Sequence, residues 1–305
     1  MRMFFKVIYL QVLLFASTSA TCSVGPAPAG FYMPDSLREV SFRYTMINNL
    51  ILLPVTVNDT IQLNLILDTG CRNLVLFGKR FQKLFSFEPD KQVQFSGLGD
   101  GRSVSGNLAL GNKVAIDAVL GTQIPIVVVP RQNVFRMFPT VDGVIGYDIF
   151  TKFEVEINAS EQRITFRPAA TAALAGDFIH VPIRIEDSRP LIDCRVIFTP
   201  EKSHLSDLMI DTGSTLGLLL KTTSIKNYAV LNGERAVLGR GFNGLIEGIE
   251  TRIEKLMVND MEIRSIRTGI IQSPWHNYAS IGMDILKDYT LVLNYCKGYA
   301  GFRKS

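Results

Sequence analysis

Leu65-Ile66-Leu67-Asp68-Thr69-Gly70 and Leu208-Met209-Ile210-Asp211-Thr212-Gly213 are two copies of one phrase, an apolar run ending in Asp-Thr-Gly. A second apolar stretch follows each triplet, at 74–77 and at 216–220. A single triplet of this kind reads as an ordinary hairpin turn. Two of them, each bracketed by strand-like runs, point instead to two carboxylates brought face to face.

The surrounding chain repeats as well. Val144-Ile145-Gly146 leads into a short amphipathic stretch and then Phe153-Glu154-Val155-Glu156-Ile157, and Ser280-Ile281-Gly282 leads into Tyr289-Thr290-Leu291-Val292-Leu293 in the same way. Gly97, Gly99 and Gly106 are mirrored by Gly239, Gly241 and Gly248. Landmarks recur in one order at offsets of 143 (68 to 211), 142 (97 to 239) and 136 (146 to 282) residues. That is an internal repeat, and a repeat fixes architecture before any single motif does. Short β-branched runs such as 50–57, 61–67, 114–120, 124–129 and 164–167, broken by Gly, Asn and Asp, predict an all-β protein. Only short helices are expected, at 147–152 and 283–288. The Ala-rich stretch 171–177 marks the boundary between an N-terminal half, 38–170, and a C-terminal half, 171–305.

Hydrolysing a peptide with water requires a base for the water and an acid for the departing amide. Two adjacent carboxyls serve both needs when they share one proton, because ionising both at short range is costly. The Gly of each triplet lets main-chain N–H groups approach the carboxylate. Each Thr hydroxyl can turn inward and bond the opposite loop.

On these residues the chain resembles the aspartic proteases, most closely the retropepsin-like enzymes and their fused, two-lobed bacterial relatives. The resemblance spans most of residues 40–305 and implies a bilobal, all-β fold of two retropepsin-like barrels in one chain. It implies Asp68 and Asp211 as the catalytic pair, with Thr69 and Thr212 interlocking beneath them. Gly70, Cys71, Gly213 and Ser214 complete the active-site loops. Gly97, Gly99 and Gly106, and Gly239, Gly241 and Gly248, fall in Gly-rich flaps that close over a peptide or protein substrate. A hairpin of that kind in each half, without the flap tyrosine of pepsin, favours the retropepsin-like arrangement. The position after the triplet usually holds Ser, Thr or Ala, so Cys71 is a departure. A thiol is a weaker donor than the Ser214 hydroxyl, so the shared proton is expected to favour Asp68. Ser280, in place of an aliphatic residue, is a second departure. One chain carrying both halves should act as a monomer, with an activity optimum at mildly acidic pH.

Bulk properties narrow the alternatives. The 305 residues suffice for two ordinary cores, and the net charge of +4 is spread without a basic run, which argues against nucleic-acid binding. Arg2 and Lys6, the apolar stretch 7–16 and the small residues before Thr21 read as a secretory signal peptide over 1–20. A loose Pro/Gly/Ala-rich leader over 21–37 is expected to follow. The exported protein would reside in the periplasm or outside the cell; an uncleaved anchor, or a lipid on Cys22, ranks below simple secretion. Export permits a disulfide, and Cys194 with Cys296 is the plausible pair. His180, His204 and His276 are isolated, so neither a metal nor another cofactor is expected. Gly239-Arg240-Gly241-Phe242-Asn243-Gly244 fits a dinucleotide fingerprint, but the residues after it read as a return strand rather than a helix. The main rival reading is a catalytically silent, peptide-binding copy of the same fold. Retention of both Asp-Thr-Gly triplets weighs against it.

Overall fold

The computed structural model describes residues 29–89, 91–95, 98–99, 101–130, 138–222, 233–272 and 279–305. These residues are almost entirely strands, arranged in three sheets. The first sheet belongs to the N-terminal half, in the order Gly30–Tyr32, Val119–Val129, Leu74–Phe77, Gly143–Ile145, Ile61–Leu67, Leu50–Val57, Val104–Ile116 and Gln92–Phe95, with Thr45–Ile47 pairing Leu50–Val57. The second belongs to the C-terminal half, in the order Arg184–Glu186, Arg189–Thr199, Lys202–Asp211, Ala279–Gly282, Leu218–Thr222, Met261–Gln272, Gly244–Val258 and Glu234–Gly241. Alternation places Leu63, Leu65 and Leu67 of Ile61–Leu67 in the interior while Gln62 and Asn64 turn away from it.

The repeat is visible in how the strands thread. Gly143–Ile145 runs parallel to Ile61–Leu67 and antiparallel to Leu74–Phe77. Ala279–Gly282 does the same between Lys202–Asp211 and Leu218–Thr222. In both halves a short crossing strand is therefore wedged between the strand that delivers the Asp and the strand that leaves it.

A third, six-stranded sheet is shared, in the order Ile179–Pro182, Tyr299–Lys304, Tyr289–Asn294, Phe153–Asn158, Arg163–Pro168 and Val40–Arg43. The halves meet where Phe153–Asn158 pairs Tyr289–Asn294. Phe166 and Phe302 of its own strands and Phe150 of the preceding helical turn are fully buried, each burial stabilising by about 1.5–3 kcal/mol. Glu154 is 1 % exposed and would be prohibitive there unpaired. It accepts hydrogen bonds from the Tyr299 hydroxyl and from Asn294 Nδ2 (3.3 Å), two residues of the other half.

Three expectations are corrected. Part of the leader is not loose: Gly30–Tyr32 pairs with 120–122 as an edge strand, and Phe31 is 3 % exposed against the N-terminal core. The run 114–120 is not one strand, because a turn at Asp117 (φ 52°) and Ala118 splits it into the arms of a hairpin. Cys194 and Cys296 are not bonded to each other. Cys194 is a buried free thiol facing the Ser206 carbonyl at 3.0 Å, and Cys296 is exposed in the turn joining Tyr289–Asn294 to Tyr299–Lys304 within the shared sheet. The helices are single turns, Tyr147–Phe150 and Met283–Leu286. The signal segment 1–20, the leader up to residue 28 and Cys22 lie outside the described residues.

Candidate active site

Asp68 and Asp211 sit at the ends of their strands, each held by the crossing strand behind it. Asp68 N–H donates to the Ile145 carbonyl at 2.8 Å and Tyr147 N–H to the Cys71 carbonyl at 2.9 Å. In the other half Met283 N–H donates to the Ser214 carbonyl at 2.8 Å and Gly282 N–H to the Gly217 carbonyl at 2.9 Å. Gly146 and Gly282 permit this close approach: a Cβ on Gly146 would lie 1.9 Å from the Asp68 carbonyl oxygen, and one on Gly282 would lie 2.3 Å from that of Leu216.

The two triplets lock together through their threonines. Thr69 N–H donates to Thr212 Oγ1 and Thr212 N–H to Thr69 Oγ1, both at 3.1 Å. The Thr69 hydroxyl donates to the Ile210 carbonyl at 2.6 Å, and the Thr212 hydroxyl donates to the Leu67 carbonyl at 2.8 Å. Both threonines are 0 % exposed. This twofold exchange brings the loops together, so that a Cβ on Gly213 would lie 2.4 Å from the Asp68 carboxyl carbon. Gly70 N–H donates to Asp68 Oδ1 at 2.7 Å and Gly213 N–H to Asp211 Oδ1 at 3.1 Å.

Enclosure and mutual charge set the protonation. Burial raises the Asp68 pKa, opposed by the Gly70 N–H and the Arg189 guanidinium. Burial, and then the charge of Asp68, raise Asp211 from 3.8 to about 7, opposed by Lys221, the Gly213 N–H and Arg189. Both carboxyls are thus raised together, as a pair that shares one proton. The side-chain influence expected at positions 71 and 214 is absent. Cys71 Sγ turns to the Asn73 carbonyl at 2.9 Å, and Ser214 Oγ accepts the Leu216 N–H at 3.3 Å, so neither side chain supports its carboxylate. The shorter main-chain bond on Asp68 favours its ionised form instead. Burial and the Asp68 charge push the Cys71 thiol well up, leaving it neutral.

The Gly-rich hairpins meet at their tips. Asn243 joins them: its Oδ1 accepts the Gly99 N–H at 2.7 Å, and its Nδ2 donates to the Gly99 and Gly101 carbonyls, each at 2.9 Å. Each tip also packs on the opposite half. Leu98 joins Leu216, Leu219, Leu238, Ile246 and Ile271, while Phe242 stacks on Phe77 at 5.3 Å beside the cluster containing Cys71 and Val75. Gly99 and Gly241 lie at this junction. Gly106 and Gly248 occupy the return strands, where added methyls would lie 2.4 Å from Val127 Cγ1 and 2.3 Å from the Ile270 carbonyl oxygen. Gly239 faces open space, and Gly97 lies outside the described residues. The fingerprint-like stretch 239–244 forms a hairpin turn between Glu234–Gly241 and Gly244–Val258.

Sequence reasoning missed a polar cluster beside the pair. Arg72, next to Cys71, bonds Asp187 Oδ1 at 2.5 Å and Ser188 Oγ at 3.0 Å across the halves. Arg189 bonds Asp187 Oδ2 at 2.5 Å. Burial lowers Lys221 to about 8, with Asp211 opposing and Arg189 reinforcing that shift. The signal available was the pair of cations at 189 and 221, an unusual choice beside carboxylates.

Residues 53–149 match the family model described as aspartyl protease. The structure is similar to the crystal structure of aspartic proteinase from Irpex lacteus, with a TM-score of 0.60 and 14% identity over 88% of this chain and 97% of that chain. At that identity the likeness shows the fold, a bilobal aspartic-proteinase fold. Among curated proteins none matches the sequence.

Proposed function

We propose that this chain, an aspartic-proteinase fold whose residues 53–149 match aspartyl proteases, is an aspartic endopeptidase working through Asp68 and Asp211. The observation that carries the reading is the reciprocal threonine exchange, since it fixes the two Asp loops, and with them the carboxyls, face to face. The raised, mutually dependent pKa values are what proton exchange near neutral pH demands.

In this scheme the ionised Asp68 accepts a proton from water as the water oxygen bonds to the substrate carbonyl carbon. Protonated Asp211 supplies a proton to the substrate. The C–N bond breaks, the departing nitrogen leaves as an amine, and the pair retains one proton for the next cycle. The flaps exclude solvent from the bound peptide. The protein acts as a monomer after export.

Purified protein is assayed for pepstatin-sensitive cleavage of a peptide library, beside Asp68→Asn and Asp211→Asn, which are nearly isosteric. Cleavage by wild type and loss of at least about 1,000-fold in each variant are expected. Equal turnover by either variant overturns the reading.

A further inference from the structure

The two walls of the cleft differ at one equivalent position. Aligning the crossing glycines Gly146 and Gly282 through their strand registers matches Leu218 with Leu74, and hence Lys221 with Phe77. The parallel partners agree, Val129 for Phe77 and Ile271 for Lys221. Phe77 stacks on the flap tip Phe242. Lys221 shares a strand face with Leu219, which packs with the other tip, Leu98. One wall therefore offers an aromatic ring under the flap and the other an ammonium.

That ammonium is poorly explained as structure. It is half-buried, and among the described residues no carboxylate lies within ion-pair distance of it; Asp211 acts on it only through space. Its charge exceeds what the pair requires. Arg72, Arg189 and Lys221 supply three positive charges, against Asp187 and a pair that carries one negative charge when singly protonated. One positive charge is left over beside the reacting atoms. Asp187 holds Arg189 through one guanidinium nitrogen, and among the described residues no other side chain bonds its remaining donors.

We propose that Lys221 and Arg189 form a carboxylate-reading subsite, so that the wall contributed by the C-terminal half selects peptides bearing an acidic side chain beside the scissile bond. This rests on the endopeptidase reading. A substrate Glu or Asp would neutralise the surplus charge and give Lys221 the hydrogen-bonded partner that the described residues do not.

The test uses the full chain with peptides identical except for Glu, Gln or Lys, placed in turn at each position flanking the scissile bond. Cleavage is measured on ordinary peptides, and binding by calorimetry on versions with a reduced, uncleavable bond. At one position Glu should exceed Gln on the order of tenfold in kcat/KM and in affinity, and the ratio should shrink as salt is raised. Lys221→Met should collapse the ratio, Lys221→Arg should retain it, and Lys221→Glu should turn the preference toward the Lys peptide. The wild-type panel and its salt dependence decide the matter even if a variant misfolds. No preference for Glu at any position, or no binding of any reduced peptide, overturns the subsite. A Glu preference that survives both Lys221→Met and Arg189→Gln also overturns it. Discrimination in binding without any cleavage leaves the subsite standing and overturns the endopeptidase reading.

Discussion

Replacing Thr69 by Val removes one oxygen and nearly preserves shape, which isolates the hydrogen bonds that join the two Asp loops. The Thr69 hydroxyl donates to the Ile210 carbonyl and accepts the Thr212 N–H, so Thr69→Val strands a buried acceptor and a buried donor in the opposite half. Each stranded group costs about 1–3 kcal/mol, for a total loss of about 2–6 kcal/mol. Thr69→Ser keeps the hydroxyl and loses only a methyl, about 1 kcal/mol. Denaturant unfolding followed by circular dichroism on the two variants gives the comparison. The reasoning is refuted if Val costs less than about 1 kcal/mol, or no more than Ser. A cycle with Thr212→Val extends the test: both hydroxyls hold one register, so the double loss should fall short of the sum.

Further expectations follow from the same site. With Asp211 near 7 in the folded protein and about 4 in the unfolded chain, the folded state holds the extra proton through that window. Stability should therefore fall as pH rises from about 4 to about 7; Asp211→Asn, which breaks the coupled pair, should flatten that slope, and an unchanged slope would remove the pair as its source. Gly213→Ala places a methyl 2.4 Å from the Asp68 carboxyl carbon, whereas a methyl on Gly176 meets nothing within 4 Å. The first should cut kcat on the order of 100-fold and the second should not, as steady-state assays would register. Asn243→Ala deletes three bonds between the hairpin tips. Hydrogen exchange at 98–99 and 101 should accelerate, and unaltered protection would mean that Leu98 and Phe242 hold the tips alone.

The site was legible where its chemistry is local. Asp68-Thr69-Gly70 and Asp211-Thr212-Gly213 each carry carboxylate, hydroxyl and close backbone approach within three residues, so the pairing of the two loops could be read from local sequence. Gly146 and Gly282 were legible because only glycine tolerates a carbonyl at the distances found there. The rest depends on pairings between distant residues. Nothing in the Leu98 or Asn243 neighbourhood announces that each hairpin reaches the other half. Phe31 looks like a leader residue until its strand partner, some 90 positions away, is known. Lys221 reads as a break in an apolar strand, and only its equivalence to Phe77, which strand register fixes, places it on the cleft wall. The role of residue 71 was misjudged because its identity was read without its rotamer, which turns the thiol to Asn73.

The shared sheet imposes an order of events on a growing chain. Phe153–Asn158 receives its outer neighbour only when Tyr289–Asn294 arrives, some 130 residues later in synthesis. At ~5–20 residues per second that delay is on the order of 10 s. Throughout it, a finished N-terminal half would present an open row of N–H and C=O groups, and a second copy of the same half is the best-matched stranger to fill it. A half-length product should consequently associate with itself. The C-terminal half thus serves its partner first as a cover against self-association, before it completes any site.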